Sequence, residues 1–356
     1  MRFSIIGTGN GGQAIASWLA IQGHKVSLYG RNEQIVEELN AKKTINLTGA
    51  LYGIGHIAEV TSDIHEAVVD ANVIMVVTTA NAHGSIASQI ACDLKDGQVI
   101  ILNPGRTGGA LEFKRSLDAC GCKARIYVAE AQTLVYACRL VENGVVNIIG
   151  VKDKVLLSAV PSSDTEYVLA KINPVYPCFC AAENVLRTSL ENIGAMFHPC
   201  VLMFNAATIE RNSVFWFYRD MTPKIADFIE KFDRERLAVG KAYGINLLSV
   251  SDWISYAYPG TPGDTLCEKM KNNPAYHDIK SPSTIFTRQL TEDIPTGVLP
   301  IMELGEVAGV PVPLMRSMVD ICGNLLDIEF RKKGRTLEHL GLAGKTKEEI
   351  IEYLSR

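Results

Sequence analysis

The sequence has no apolar run long enough to cross a membrane. Its apolar runs, such as residues 73–77, have the length of a single strand, whereas a membrane helix needs about 20 residues. The first apolar stretch, residues 3–6, is too short for the core of a secretory signal peptide. We therefore expect no membrane span and no cleaved leader.

An excess of one charge is missing as well. Lys and Arg together number 35 and Asp and Glu 39, so the formal net charge is −4 at pH 7. Proteins that bind nucleic acids or anionic membranes usually carry a basic excess, because phosphate groups dominate their affinity. The balance predicts neither partner and leaves small molecules as the expected ligands.

The nine cysteines show no regular framework. The closest pairs, Cys120 with Cys122 and Cys178 with Cys180, are separated by one residue, not by the two to four residues typical of zinc knuckles. We expect reduced, mostly buried thiols, no metal site and a cytoplasmic location.

The length of 356 residues fits two domains, and the first half alternates between two kinds of segment. Strands separated by helices predict an α/β fold with a doubly wound parallel sheet, the Rossmann arrangement, over residues 1–185. Helices are predicted at residues 11–21 and 33–39. The predicted strands are residues 2–6, 25–29, 71–78, 98–103, 125–129 and 145–150.

The second half changes character near residues 174–190, where prolines interrupt the alternation. Helical periodicity then predicts an all-α domain over residues 186–356. A long irregular segment, residues 252–282, is rich in Pro, Gly, Tyr and Asn, and loops of that length are usually functional. The predicted helices are residues 189–205, 223–243, 299–308, 313–331 and 347–354.

A glycine motif follows the first predicted strand. Residues 7–12, GTGNGG, match G-x-G-x-x-G directly before a helix, which favours a dinucleotide site over a simple glycine-rich turn. In such a motif the first glycine allows the tight turn, the second admits the pyrophosphate and the third allows close helix packing. The expected cofactor-binding residues are Gly7, Gly9, Asn10, Gly11 and Gly12.

The residues at the end of the second predicted strand indicate which cofactor is preferred. An acidic residue there would bind the adenosine ribose and repel a 2′-phosphate, but this chain has Gly30 followed by Arg31 and Asn32. The guanidinium of Arg31 suits a phosphate, and Asn32 can add a hydrogen bond. This predicts NADP(H) in preference to NAD(H); the alternative is a solvated Arg31 beside a permissive site.

Two later loops also end predicted strands. Ligands of open α/β sheets lie at the carboxyl ends of strands, so Thr79, Asn103 and Gly105 are further expected cofactor contacts. Asn, Pro and Gly also form ordinary turns, which remains the alternative for both loops.

In the helical half, His198 lies in a strongly apolar stretch directly before Pro199. A proline disfavours helical geometry in the residue before it, so a break here would direct the imidazole outward. Asn205, seven residues later, falls on about the same helix face. The alternative is a core histidine bonded to a backbone carbonyl.

A polar cluster follows at residues 288–297. Arg288 suits a substrate carboxylate, and Asp293 can hold a histidine ring. Alternatively, Arg288 pairs with Asp293, or Asp293 caps the helix that starts near Pro295. Tyr276, beside His277 in the long loop, fits either a substrate wall or a packed surface loop.

Taken together, these motifs resemble the octopine/nopaline dehydrogenase family, the opine dehydrogenases. The resemblance runs through almost the whole chain. It rests on six segments: GTGNGG at residues 7–12, NPGRTGG at 103–109, AMFHP at 195–199 with Asn205, NPAY at 273–276, RQLTEDIP at 288–295, and FRKKGRTLE at 330–338.

This resemblance implies a reductive condensation. An α-keto acid such as pyruvate and the amino group of an amino acid would form an imine, which hydride from NAD(P)H reduces. His198 would be the general acid/base, Asp293 would orient it and Arg288 would bind a carboxylate, with Asn205 and Tyr276 near the substrate. The small-molecule partners would be these two acids.

Two other functions fit the same residues. A simple reductase of 2-keto or 3-hydroxy acids, like the ketopantoate reductases and glycerol-phosphate dehydrogenases, would need no amine. A non-catalytic NADP(H) sensor would need the glycine motif and Arg31 but not His198. The apolar helical segments fit either a homodimer interface or a core.

Overall fold

The computed structural model describes residues 1–355, which divide into two compact units. The first comprises residues 1–189 and 352–355, and the second comprises residues 190–351. The predicted boundary at residues 185/186 falls within one short helix, Val185–Leu190. No helix among the described residues is long and apolar enough to cross a membrane.

Every strand longer than an isolated bridge that the described residues form lies in the first unit. The strands are β1 Arg2–Ile6, β2 Lys25–Tyr29, β3 Thr44–Gly49, β4 Gly53–His56, β5 Glu59–Thr61, β6 Val73–Val76, β7 Val99–Leu102, β8 Tyr127–Ala131, β9 Tyr136–Glu142, β10 Val145–Val151, β11 Val155–Val160 and β12 Phe179–Ala181. Its helices are α1 Asn10–Ile21, α2 Glu33–Lys42, α3 Ile64–Val68, α4 His83–Ile90, α5 Gly109–Ala119, α6 Thr165–Ile172 and α7 Val185–Leu190, whose last residue belongs to the second unit.

Eight strands form the main sheet, in the order β12-β11-β8-β7-β6-β1-β2-β5. The six neighbouring strands β8, β7, β6, β1, β2 and β5 are parallel to one another. Strand β11 is antiparallel to β8, and β12 is parallel to β11. All residues of β6 and β7 are buried, as expected for parallel strands covered on both faces. The strand order reverses beside β1, which places the carboxyl ends of β1 and β6 at the topological switch point.

A second sheet, absent from the sequence prediction, has the order β4-β3-β10-β9. The predicted strand 145–150 belongs to it and not to the main sheet, so that assignment was wrong. This sheet packs on α1, where a Cβ on Gly55 would lie 2.5 Å from the backbone oxygen of Ser17. Strands β3 and β4 are partly exposed and contain glycine, which is a weaker sequence signal than a continuous buried apolar run.

The second unit is helical. Its helices are α8 Gly194–Phe204, α9 Ala206–Glu210, α10 Pro223–Ala242, α11 Val250–Ala257, α12 Leu266–Asn272, α13 Arg288–Thr291, α14 Leu299–Val307, α15 Pro313–Leu326, α16 Phe330–Lys333 and α17 Lys347–Ser355, whose last residues belong to the first unit. The long helix α10 packs against α8 and α14. Buried Arg236 on α10 pairs with Asp233 at 2.7 Å and donates to the carbonyl oxygens of Leu190 and Leu248.

Three predicted features of this unit differ from the structure. The predicted helix 189–205 is two helices, because α7 ends at Leu190 and α8 begins at Gly194. The predicted helix 313–331 ends at Leu326, where Asp327 adopts a left-handed conformation. The segment 252–282 is not irregular throughout, because α11 and α12 occupy much of it; each is capped by a Ser or Thr hydroxyl.

Candidate active site

The glycine loop joins β1 to α1 at the switch point, and sterics require glycine at two of its positions. Gly7 has φ +127°, and a Cβ there would lie 2.4 Å from the backbone oxygen of Val77. A Cβ on Gly12 would lie 1.8 Å from the backbone oxygen of Gly7. The turn and the close packing of α1 on β1 therefore exclude side chains at both positions.

The N-terminus of α1 has room for a ligand. Gly9 is the N-cap residue, and a Cβ on it would meet no atom within 4 Å among the described residues. No side chain caps these amides in the described part of the chain, and the first turn contains no acidic residue. Neighbouring Asn10 accepts from the amide of Leu140 at 3.3 Å, and a Cβ on Gly11 would meet the side chain of Leu134. Open space beside donating amides fits the pyrophosphate of a dinucleotide.

At the end of β2, the position next to Gly30 is already filled. A Cβ on Gly30 would lie 2.6 Å from Cγ2 of Thr8, so the Thr8 side chain occupies the space an acidic side chain would need. Arg31 is exposed. The side chain of Asn32 accepts from the amide of Ile35 and caps α2. The site thus presents an exposed cation and no carboxylate at these three positions.

The later strand-end loops differ in exposure. Thr79 is exposed where it precedes a turn of 3-10 helix, Ala80–Ala82. Asn103 is only 1% exposed, and its side-chain amide donates to the carbonyl oxygen of Ile101. Gly105 is buried, and a Cβ on it would lie 2.5 Å from Cβ of Glu130. Asn103 and Gly105 therefore shape the loop from inside, whereas Thr79 faces solvent.

Buried Glu130 holds this loop in place, and the sequence prediction missed it. One carboxylate oxygen accepts from the amide of Ala110 at 2.9 Å, in the first turn of α5. The other accepts from the hydroxyls of Thr188 and Ser189, each at 2.7 Å. A carboxylate at a helix N-terminus is favourable, and all these partners lie in the first unit. A lone acidic residue at the end of a strand offered no signal for this role.

Lys152 secures the segment that covers Gly11. Its Nζ donates to the hydroxyl of Thr133 at 2.9 Å and to the carbonyl oxygen of Leu134 at 2.7 Å. Burial lowers the pKa of this amine to about 8, because a charge is costly away from water.

In the second unit, His198 lies on α8 between two hydrogen-bond partners. The helix continues through Pro199 with no break, so the predicted interruption was wrong; buried residues on both sides of the proline hold the helix together. His198 Nδ1 lies 2.5 Å from Oδ2 of Asp293, and Nε2 lies 2.9 Å from the hydroxyl oxygen of Tyr218. The His198 side chain is 18% exposed and that of Asp293 only 3%.

Asp293 owes its position to an unusual helix geometry. Helix α13 packs against α8, and a turn of π-helix, Ile294–Val298, follows Asp293 directly. Such turns often mark functional sites, because they redirect side chains. The Asp293 side chain makes no capping hydrogen bond to this turn. Arg288 pairs with Glu292 at 3.7 Å, not with Asp293, and its side chain is 67% exposed. The two alternatives, an ion pair between Arg288 and Asp293 and a helix cap by Asp293, are therefore wrong.

Tyr218 is the second residue that the sequence prediction missed. It is buried within a cluster of aromatic rings: its centroid lies 4.6 Å from that of Tyr276 and 4.8 Å from that of Phe217. Tyr276 also packs against Tyr258, and burial raises the pKa of the Tyr276 hydroxyl well above its usual value. The aromatic run at residues 215–218 was the only signal, and it does not distinguish Tyr218 from its neighbours.

Asn205 and His277, also singled out from the sequence, have hydrogen-bond partners other than His198 and Asp293. The side-chain amide of Asn205, at the C-terminus of α8, donates to the carbonyl oxygen of Val201. His277 is exposed and contacts Asp278 and Arg219. The structure therefore brings His198, Asp293, Tyr218 and Tyr276 together, while His277 lies at the surface.

These features combine a dinucleotide-type Rossmann unit with a helical unit that carries a histidine–carboxylate pair. Such a pair can move protons, and an exposed guanidinium can bind an anion. No group of three or more His, Cys, Asp or Glu residues in the described chain could hold a metal ion. The fold and site define a nicotinamide-dependent oxidoreductase with a separate helical domain.

Comparison with known proteins identifies the family. Residues 181–326 match the model "NAD/NADP octopine/nopaline dehydrogenase, alpha-helical domain", and residues 2–105 match "NAD-dependent glycerol-3-phosphate dehydrogenase N-terminus". The chain is 39% identical over 346 residues to an opine dehydrogenase from Arthrobacter sp. (strain 1C), covering 97% of this chain and 96% of that relative. The chain belongs to the octopine/nopaline dehydrogenase family. It is an NAD(P)-dependent oxidoreductase of the opine dehydrogenase type, which joins an α-keto acid to the amino group of an amino acid by reductive condensation.

Solved structures support the same fold. Octopine dehydrogenase with NADH and L-arginine superposes with a TM-score of 0.82 at 19% identity, covering 100% of this chain and 98% of that one. Yersinopine dehydrogenase with bound NADP+ has a TM-score of 0.72 at 14% identity, covering 99% and 97%.

Proposed function

We propose that this chain is an NADP(H)-preferring opine dehydrogenase in which His198 is the general acid/base, Asp293 orients it and Arg288 binds a substrate carboxylate. The observation that carries the proposal is the pair of His198 Nδ1 and Asp293 Oδ2 at 2.5 Å. An ionised carboxylate only accepts hydrogen bonds, so Asp293 holds the proton on Nδ1 and leaves Nε2 as the reactive nitrogen.

The reaction needs proton transfers at both oxygen and nitrogen. Attack of the amine on the keto acid gives a carbinolamine, and its hydroxyl must be protonated before it leaves as water. A partly buried imidazole supported by a carboxylate suits transfer in both directions. When bound, the nicotinamide cofactor supplies the hydride that reduces the resulting imine.

Arg288 supports the binding of an acidic substrate. Its partner Glu292 is buried, whereas the guanidinium side chain is largely exposed. One terminal nitrogen, Nη1, lies 3.7 Å from the Glu292 carboxylate, which leaves the other guanidinium donors for a second carboxylate. Both substrates of an opine dehydrogenase carry a carboxylate. The solved complex of octopine dehydrogenase with NADH and L-arginine supports an amino acid as the amine donor.

The preference for NADP(H) is supported by the end of β2. Thr8 fills the space beside Gly30, and Arg31 is exposed next to it. The position therefore lacks the carboxylate that would repel a 2′-phosphate and has a cation that would attract one. The dissociation constants of NADPH and NADH test this directly; NADH binding as tightly as NADPH would contradict it.

The reaction itself is tested by NADPH oxidation with the pure protein. α-Keto acids, pyruvate among them, are supplied alone and then together with pooled amino acids, and product masses are measured in the same samples. We expect oxidation only with both pools, and a product equal to their sum minus water plus two hydrogens. Full-rate oxidation with keto acids alone would instead indicate a simple reductase.

A further inference from the structure

The reactive nitrogen of His198 already has a partner. The hydroxyl oxygen of Tyr218 lies 2.9 Å from Nε2, on the opposite side of the ring from Asp293. An imidazole nitrogen has one hydrogen-bonding position, in the ring plane. A substrate atom cannot share that position with Tyr218, so the Tyr218 hydroxyl must either leave or carry the proton itself.

The packing around Tyr218 opposes its departure. The residue is only 8% exposed. Its ring contacts Phe217 and Tyr276 at centroid distances of 4.8 and 4.6 Å, and Phe197 at 6.2 Å in an edge arrangement. Moving the ring away from His198 would break these aromatic contacts and open a cavity among them.

We propose that Tyr218 is a catalytic residue whose hydroxyl exchanges a proton with the substrate. His198, held by Asp293, accepts that proton from Tyr218 and returns it to Tyr218. The inference rests on the proposed function. A tyrosine hydroxyl suits the position because it donates and accepts at once. The hydrogen-bonded chain then runs from Asp293 through both nitrogens of His198 to the Tyr218 oxygen.

The proton balance closes in two steps. During amine addition, the substrate ammonium gives one proton to the Tyr218 oxygen as the Tyr218 hydroxyl proton moves to Nε2, which forms the imidazolium. The free amine bonds to the keto carbon as the C=O π bond opens, and a second nitrogen proton moves to the new alkoxide oxygen, which gives the neutral carbinolamine. During dehydration, the C–O bond of the carbinolamine breaks and the nitrogen lone pair forms C=N. The Tyr218 hydroxyl protonates the leaving oxygen and regains a proton from Nε2. Water leaves, and His198 returns to its neutral form.

The central substitution of the test, Tyr218→Phe, removes only the tyrosine hydroxyl. We compare kcat for opine formation in the wild type, Tyr218→Phe, His198→Ala and the double variant, with NADPH binding and the melting temperature of each. Each single substitution is expected to lower kcat by about a hundredfold, the scale of a lost acid/base. The double variant should be no slower than the slower single variant, because the two groups act in series.

Tyr243→Phe is the matched control. Its hydroxyl is also buried in the second unit and donates to the carbonyl oxygen of Leu304 at 3.0 Å. Loss of that hydroxyl is expected to lower the melting temperature and leave kcat unchanged. A structural role of Tyr218 would give the same pattern, and so would overturn the proposal.

Two further outcomes separate the hypotheses. If the wild type forms the opine and Tyr218→Phe has an unchanged or higher kcat, proton transfer through Tyr218 is overturned and the proposed function stays intact. A wild type that forms no opine with any substrate pair would overturn both. Without substrate, the ¹⁵N resonance of His198 Nε2 should move in Tyr218→Phe and stay in place in Tyr243→Phe; an unmoved resonance in Tyr218→Phe would refute the hydrogen bond.

Discussion

The glycine loop and the His198 centre differ in how the chain builds them. The loop occupies six consecutive residues, 7–12, and works through backbone shape and free amides. The His198 centre joins side chains separated by 20 and 95 residues in sequence, Tyr218 and Asp293. A site made of local backbone can be recognised in sequence, whereas a site made of distant side chains depends on packing.

The same difference predicts how each region fails. The loop should respond to added volume, because its neighbours are backbone atoms that cannot move aside. The His198 centre should respond to lost functional groups with little change in stability. Five predictions test this contrast, beginning with the largest effect.

Gly12→Ala should be the most damaging. Its Cβ would lie 1.8 Å from the backbone oxygen of Gly7, so we expect a loss of stability of about 3 kcal/mol and loss of NADPH binding. Gly9→Ala is the matched variant, because its Cβ meets open space. It should melt like the wild type yet bind NADPH more weakly. Thermal melting and cofactor titration measure both; equal behaviour of the two variants would refute the steric account.

His198→Ala should act on turnover alone. We expect kcat to fall at least about a hundredfold, while NADPH affinity and the melting temperature stay close to the wild type. His339→Ala is the control, because this exposed histidine has Thr336 as its hydrogen-bond partner. Steady-state kinetics decide, and full activity of His198→Ala would remove it from the mechanism.

Arg288→Lys should raise the Michaelis constant of one carboxylate substrate. Lysine keeps the charge but cannot form two parallel hydrogen bonds, so we expect an increase of about twentyfold. Arg316→Lys, on an exposed arginine paired with Glu306, serves as the control and should change nothing. An unaltered Michaelis constant in Arg288→Lys would contradict bidentate binding.

Arg31→Ala should weaken NADPH binding by about tenfold and leave NADH binding unchanged, because only NADPH has the 2′-phosphate. Arg2→Ala is the control: Arg2 is exposed at the opposite end of β1, where it pairs with Asp70. Fluorescence titration with both cofactors measures the effect. Equal losses for NADPH and NADH would point to a general charge effect.

Lys152 provides the smallest effect, a pH dependence. Its pKa in the folded protein, about 8, lies below that of an exposed lysine, so the unfolded chain binds more protons between about pH 8 and 10. The free energy of unfolding should therefore rise with pH in this range, by about 1 kcal/mol between pH 8 and 9. Lys152→Met should lack this rise when unfolding is measured by chemical denaturation; an unchanged pH dependence in the variant would contradict the lowered pKa of Lys152.

Most of the main sheet could be predicted from the sequence. The bounds of β1 and β2 agree with the prediction, and β6 and β7 lie within longer predicted strands. Continuous apolar runs are a strong local signal for parallel strands buried on both faces. The second sheet was missed because its half-exposed strands lack that signal, and β10 was placed in the wrong sheet because a strand does not encode its neighbours.

For the site, local sequence determined the glycine loop, since steric exclusion at Gly7 and Gly12 follows from the motif and its place after a strand. Sequence also drew attention to His198, Arg288 and Asp293 as chemically suitable side chains. Only the tertiary structure decided their partners: Asp293 for His198, and Glu292 for Arg288.

Tyr218 shows the limit most clearly. Nothing in its sequence context separates it from Phe217, yet packing places its hydroxyl on Nε2 of His198. A hydrogen bond requires that its donor and acceptor be placed to within a few tenths of an ångström, and for side chains far apart in sequence that placement is set when the helices pack. Neighbouring residues determine the local backbone conformation, whereas the tertiary fold determines which distant side chains come into contact.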